Sequence, residues 1–227
     1  QMCIRDSMGT LREVFGPAGD RASAVAALLY QYEIDREFPD AVMLEAKAAP
    51  QAVEESAVAG RLDLRDKVMI TIDGASSKDL DDAVSLERDG LGRWVLGVHI
   101  ADVSHYVRPG SALDLEAWER GTSVYFADQV VPMLPRELSN GICSLNPRVD
   151  RLALSCVMTL TPEGEVVDHT IAKSVIRTTE RMTYEDCNAL LAHSDPALAE
   201  RYARILPMLE DMAALSRVLE GRRRRRG

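Results

Sequence analysis

The 227-residue sequence predicts a mixed α/β (α+β) chain in which a largely antiparallel sheet has surrounding helices. Two paired stretches of β-branched and apolar residues carry the sheet: Ala83–Glu87 with Trp94–Val103, and Leu152–Leu160 with Val166–Ile176. Each pair brackets a short turn, and tight turns between such runs make antiparallel hairpins. Apolar residues at helical spacing come before and after this block.

Taken in order, Gln1–Ser7 carry no periodicity, and Met8 is an alternative start. The run AVAALLYQYEI follows Ser23, read as its N-cap. Pro39 takes a first helical position ahead of DAVMLEAKAA, and QAVEESAVA ends at Gly60. Residues 1–60 therefore read as a helical lead-in or connector. The texture changes at Arg61. Lys67–Ile72 form a strand that stops at the turn signal Asp73-Gly74. The first hairpin turns at Asp89-Gly90-Leu91-Gly92 and the second at Pro162-Glu163-Gly164. Between them Ser111 caps a short helix through Arg120. Thr183-x-x-Asp186 has the form of a capping box. The last helical stretch, Leu198–Glu220, contains Pro207, which predicts a kink or a split.

A hydrophobic content of 46% supports a packed core and excludes a wholly disordered chain. The longest apolar run, Ala24–Tyr30, falls far short of the roughly 18 residues of a membrane span. No basic region followed by an apolar stretch marks secretion, so the expectation is a cytoplasmic protein with no membrane partner. Cys3, Cys143, Cys156 and Cys187 form no C-x-x-C pair and read as reduced thiols. Net charge is −9, from 27 basic and 36 acidic residues. Without Arg222–Arg226 the balance is 22 basic against 36 acidic, or −14. That argues against a passive nucleic-acid coat and leaves room for an enzyme that gathers carboxylates around metal ions.

The segment TIDGASSKDLDDA places four aspartates, Asp73, Asp79, Asp81 and Asp82, between one strand end and the next strand. Like charges at this range raise one another's pKa unless cations offset them. Hard oxygen ligands suit Mg²⁺ or Mn²⁺, whose remaining positions are taken by water and phosphates. Phosphoryl transfer or phosphodiester cleavage is the matching chemistry. On the loop alone two plainer alternatives stand: an Asp-rich turn bonded to its own backbone, and a calcium loop. His99, Asp102 and His105 do not fit one helical face and read as structural. Arg222–Arg226 form either a phosphate grip or a solvated helix end.

Longer motifs surround the aspartates. They are Asp63-Leu64-Arg65, TIDGASSKDLDDAVSL, Val98–Val107 (VHIADVSHYV), Arg120–Phe126 (RGTSVYF), Val131–Pro135 (VPMLP) and Ser139–Leu145 (SNGICSL). In this order they resemble the catalytic (RNB) domain of the ribonuclease II / ribonuclease R family, more closely its ribonuclease R branch. The likeness covers about Arg61–Tyr184, and more weakly the lead-in.

The resemblance implies an RNB-like fold. Residues 61–227 would be the N-terminal part of the catalytic domain, and 1–60 the linker after cold-shock domains. It implies a metal-dependent, processive 3′-to-5′ exoribonuclease that hydrolyses single-stranded RNA with a 3′ end to nucleoside 5′-monophosphates. The cofactor would be Mg²⁺ (or Mn²⁺). Asp73 and Asp82 match direct metal ligands and Asp79 a supporting one. Asp81 would be catalytic, holding a second metal or orienting the attacking water. Tyr125 matches an aromatic that stacks on a base near the 3′ end, with ordinary strand packing beside Val124 and Phe126 as the plainer alternative; Tyr184 matches another RNA-contacting aromatic or else packs at a helix start. The family's second catalytic half and its S1 domain are not recognisable, so the chain reads as truncated. A non-catalytic RNA-binding or regulatory module with an RNB-like fold is the alternative.

Overall fold

The computed structural model describes residues 10–126 and 129–226. The readings made on Gln1–Ser7, Cys3 and Met8 lie outside the described residues.

Two hairpins build the centre. Strand β3 (Asp82–Arg88) pairs antiparallel with β4 (Trp94–Ala101), from Asp82 opposite Ile100 to Arg88 opposite Trp94. Asp89 closes the turn: its Oδ1 accepts from the Leu91 and Arg93 N–H groups at 2.9 Å each. Gly92 supplies the left-handed φ of +74° that the turn requires. Strand β7 (Asp150–Leu160) pairs with β8 (Val166–Arg177) in the same sense, and β4 joins β7, so the hairpins form one ladder.

Three shorter strands extend that ladder. Strand β2 (Ile70–Asp73) lies antiparallel on β3, while β1 (Leu62–Asp63) and β9 (Glu180–Thr183) add parallel edges to β8 and β2. The order is β1-β8-β7-β4-β3-β2-β9. A separate pair, β5 (Val124–Tyr125) with β6 (Val130–Val131), lies outside this sheet.

Alternation along the strands gives the sheet two apolar faces. One carries Leu86, Trp94 and Leu160, covered by α6 (Tyr184–Leu191), α7 (Pro196–Arg201) and α8 (Leu206–Arg226) through Leu190, Leu209 and Leu215. The other carries Ala83, Ala101 and Ala153, packed with Leu64, Met69, Leu80, Leu145 and Ile176.

The lead-in helices are more than a connector. Helix α2 (Asp40–Ala48) buries Val42 and Ala46 against Leu113 of α5 (Ala112–Arg120). Leu138 and Ile142, from the wide π-type turn Glu137–Ile142, complete that cluster. Helix α1 (Arg21–Gln31) sets Val25 and Leu29 on Val131 of β6. The stretch ending at Gly60 contributes only a single turn, α3 (Glu55–Val58), and another single turn, α4 (Val103–Tyr106), follows β4.

Several boundaries differ from the sequence reading. The N-cap of α1 is Asp20, not Ser23: the Asp20 carboxylate accepts from the Ser23 N–H at 2.8 Å and from its hydroxyl at 2.7 Å. Ser23 is thus the capped residue. The last helical stretch splits rather than kinks, with Pro207 in the first turn of α8, where a missing N–H leaves no bond unmade. Ser111 and Thr183 do cap α5 and α6. Cys143, Cys156 and Cys187 are free thiols, and burial pushes Cys143 up to about 12 and Cys187 to about 11. Among the described residues no helix is long and apolar enough to cross a membrane.

Candidate active site

Strand β2 ends on Asp73 and β3 begins on Asp82. Ile70 pairs with Val84, and extending that antiparallel register brings Asp73 to the level of Asp81. The connecting loop is fixed at both ends. Leu80 drops its side chain into the core, so Asp79 and Asp81 on either side are held at the surface. Its N–H donates to Ser144 Oγ at 3.1 Å, and that hydroxyl donates to the Lys78 carbonyl at 2.9 Å. The Leu145 N–H donates to the Leu80 carbonyl (2.8 Å), and the Ala101 N–H to the Asp81 carbonyl (2.9 Å).

Arg181 of β9 clamps the other side. Its Nη2 donates to the carbonyls of Gly74 (3.1 Å), Ala75 (3.0 Å) and Ser77 (2.7 Å). The charge stays close enough to Asp73 to lower its pKa in part.

The four carboxylates feel one another. Loss of solvation holds the Asp73 carboxyl above its usual range, and the charges on Asp82 and Asp79 add to this. Asp81 keeps solvent access, yet crowding protein atoms raise it first, followed by Asp79, Asp82 and Asp73. Thus the fold gathers all four at one end of the β2–β3 pair. Among the described residues, however, no three carboxylate, imidazole or thiol side chains close into a metal cage. The quartet is an open array with excess negative charge. Mg²⁺ needs only one or two protein carboxylates, with waters and substrate phosphates completing its shell, so the donor set fits that class of ion.

Tyr125 joins the array. Its ring is 66% exposed, and its hydroxyl donates to Asp79 Oδ2 at 3.2 Å. Its neighbours Val124 and Phe126 point the other way, into the cluster around Val25 and Leu29. Ordinary strand packing therefore describes the neighbours and not Tyr125 itself. Tyr184 is also exposed, one residue beyond Thr183, the register partner of Asp73. Among the described residues no hydrogen bond ties it to the quartet.

The histidines stand apart. His99 is buried, and its desolvation pushes its pKa down to about 4. Ser174 Oγ donates to the Ala153 carbonyl (3.2 Å), so it must accept from Ser155 Oγ (2.6 Å). Ser155 then has no proton left for His99 Nδ1 (2.7 Å), which is therefore the donor. Nε2 is left to accept from the Ser85 hydroxyl at 3.1 Å. Asp102 pairs with Arg61 at 2.7 Å; burial works against its charge, but bonds from Ser104 and Arg61 hold its carboxyl below the usual range.

Leu80, Ser144 and Arg181 were not singled out in the sequence. Leu80 left a signal, one apolar residue among aspartates. Arg181 left none, because its three carbonyl partners lie more than a hundred positions away.

The RNB domain profile matches residues 61–227, and the chain belongs to that family. Within it the chain is similar to ribonuclease R. It is 52% identical over 219 residues to ribonuclease R 1 of Lactococcus lactis, covering 96% of this chain and 27% of that protein. Ribonuclease R of Thermotoga maritima is 45% identical over 217 residues, covering 95% of this chain and 30% of the relative. The chain thus spans less than a third of the length of these relatives. Among solved structures it is similar to Mycoplasma genitalium ribonuclease R in complex with ribose-methylated single-stranded RNA. That match has a TM-score of 0.86 and 31% identity, over 95% of this chain and 33% of the other.

Proposed function

We propose that this chain carries the acidic loop of a metal-dependent, processive 3′-to-5′ exoribonuclease, which hydrolyses single-stranded RNA to nucleoside 5′-monophosphates. The observation that carries this reading is the bond from the exposed Tyr125 to Asp79. It joins a stacking aromatic to a quartet of carboxylates in a chain of the RNB family.

Asp73 and Asp82, on neighbouring strand ends, would hold Mg²⁺ or Mn²⁺, with Asp79 in support. The ion, when bound, neutralises phosphate charge and makes water a better nucleophile. Asp81 accepts a hydrogen bond from the attacking water and aims it at phosphorus, opposite the departing 3′ oxygen. Tyr125 stacks on a terminal base, a contact that tolerates any sequence, and Tyr184 supplies a second aromatic contact. Arg181 keeps the loop backbone in place while the carboxylates adjust.

The test is a chimera in which this chain replaces the aligned segment of the L. lactis relative. It should shorten 3′-tailed RNA only with Mg²⁺ or Mn²⁺. Asp81→Asn should reduce turnover by about 10³-fold, a loss typical of removing one preorganised catalytic group, while RNA binding persists. Equal cleavage by the variant would remove Asp81 from the chemistry. The open geometry of the quartet favours one second reading, an RNA-binding module without catalysis. A chimera that binds RNA but never shortens it would select that reading.

A further inference from the structure

We infer that the arginine-lined cavity at the far end of β9 is a second RNA site, binding backbone phosphates through Arg201 and Arg204. This rests on the reading that the protein handles RNA, but not on the chemistry of the acidic loop. The cavity measures about 490 Å³ and is lined by Arg65, Lys67, Arg148, Arg177, Arg201 and Arg204 against two carboxylates, Asp66 and Glu180. Four of the six basic side chains are paired with carboxylates, which leaves Arg201 and Arg204 as the free positive charges of the lining among the described residues.

Its two walls differ. On one, every basic group is paired: Arg65 with Asp63 (2.5 Å) and Asp150 (3.1 Å), Arg177 Nε with Asp150 (2.7 Å), Lys67 with Glu87 (2.5 Å) and Arg148 Nη2 with Glu180 (2.5 Å). Arg148 sits at a φ of +65°, a left-handed conformation rare for a side-chain-bearing residue, and is held there by its N–H bond to the Thr178 carbonyl at 2.8 Å. Strain of this kind persists only where the surroundings enforce it. On the facing wall Arg201 and Arg204 are exposed, and among the described residues neither has a carboxylate partner. The Arg201 guanidinium lies over the Tyr202 ring, 4.9 Å from its centroid, which orients it without neutralising it.

Unpaired guanidinium groups opposite a braced, charge-paired wall suit oxyanions that accept two parallel N–H bonds, as phosphate does. An extended polyanion matches an open cavity whose free positive charge lies along one side. Placement agrees. Glu180 lines the cavity and Thr183, three residues along the same strand, pairs with Asp73, a separation of roughly 10 Å at strand rise. One RNA strand can therefore reach from this pocket to the acidic loop.

The test uses the 227-residue chain with chelator present, so that RNA is bound but not cut. Affinity for labelled oligouridylate is measured against salt concentration for the wild type and for Arg201→Gln/Arg204→Gln. Both side chains are solvent-exposed, so folding should survive; Arg201→Lys/Arg204→Lys, which keeps charge and loses the planar fork, is the second variant. The glutamine pair should weaken binding about tenfold at moderate salt and flatten the log–log salt slope by about 1.4, at 0.7 per phosphate contact. The lysine pair should keep the slope and lose part of the affinity. Unchanged affinity and slope in the glutamine pair would overturn the proposal. Nitrogen-15 spectra of the arginine side chains, titrated with inorganic phosphate, uridine monophosphate, oligouridylate and polyglutamate, identify the anion. Saturation by the small phosphates without a response to RNA, or an equal response to polyglutamate, would also overturn it. If the glutamine pair behaves as expected while the chimera never cleaves, the pocket stands and the exoribonuclease reading falls.

Discussion

The acidic loop and the His99 network treat polar groups in opposite ways. Around His99 every hydrogen-bonding group has a partner, and a chain of single protons runs from Ser85 through His99 and Ser155 to Ser174 and the Ala153 carbonyl. It links β3, β4, β7 and β8, four consecutive neighbours in the sheet. At the loop, four carboxylates are pressed together without closing on one another. Satisfied buried polar groups stabilise and fix register, whereas uncompensated ones hold a charge imbalance that a ligand can relieve. The difference separates a network that keeps this sheet in register from a cluster whose charge is left open to solvent.

The sharpest way to break the contrast is to neutralise the loop. Asp73→Asn or Asp82→Asn should abolish Mn²⁺ binding, read by electron paramagnetic resonance of the free ion, while thermal unfolding moves to equal or higher temperature because a repulsion has gone. A lower melting temperature in both variants would mean that the loop is structural.

Acidity should act with opposite sign on the two regions. His99 titrates near 4 when folded and near 6.5 when unfolded, so the unfolded chain binds more protons between those values. Stability from this residue is complete above pH 6.5 and falls as pH drops towards 4, by about 3 kcal/mol from the difference in pKa. Asp73 and Asp81 are raised when folded, so their contribution runs the other way and the native state gains as pH falls through their range. Urea unfolding of the wild type and His99→Gln across pH 4–7 separates the two. A variant that retains the full loss towards low pH would exonerate His99.

A smaller effect is expected at Gly97, opposite Ser85 in the ladder. A Cβ there would stand 2.4 Å from Ser85 Oγ and 2.7 Å from His99 Nε2, so Gly97→Ala must displace the network. The expected loss is about 1–3 kcal/mol, the usual range for overpacking, read by urea unfolding. An unchanged midpoint would show that the network yields freely.

Smallest of all is Tyr125→Phe, which removes one exposed bond to Asp79 but keeps the ring. RNA affinity should change less than twofold, whereas Tyr125→Ala should lose about 1–3 kcal/mol of stacking. Equal losses from both would assign the affinity to the hydroxyl.

Much of the fold was legible because its signals are local. Both hairpins, the caps at Ser111 and Thr183 and the helical ends follow from patterns shorter than a dozen residues. The cap of α1 was misplaced by a few residues because Asp20 and Ser23 are both competent and only the backbone path chooses between them. The parallel edges were not legible. Strand β9 finds β2 across more than a hundred residues, and nothing within Glu180–Thr183 names that partner. The same pairing delivers Arg181 to the loop, so the clamp was hidden for the same reason. Likewise, Arg65 and Arg204 read as ordinary charges until the chain returns on itself to put them in one cavity.

By itself, the order of residues determined the two central hairpins and the helices capped by Ser111 and Thr183, that four acids share one short loop, and which family's motifs surround them. Propensity, capping and spacing all act between near neighbours. Tertiary structure decided that Tyr125 meets Asp79, that Arg181 holds the loop, and that His99 is shut away while the aspartates face water. Those outcomes depend on strand order and burial, and both are set by contacts between segments that carry no mark of each other in the text.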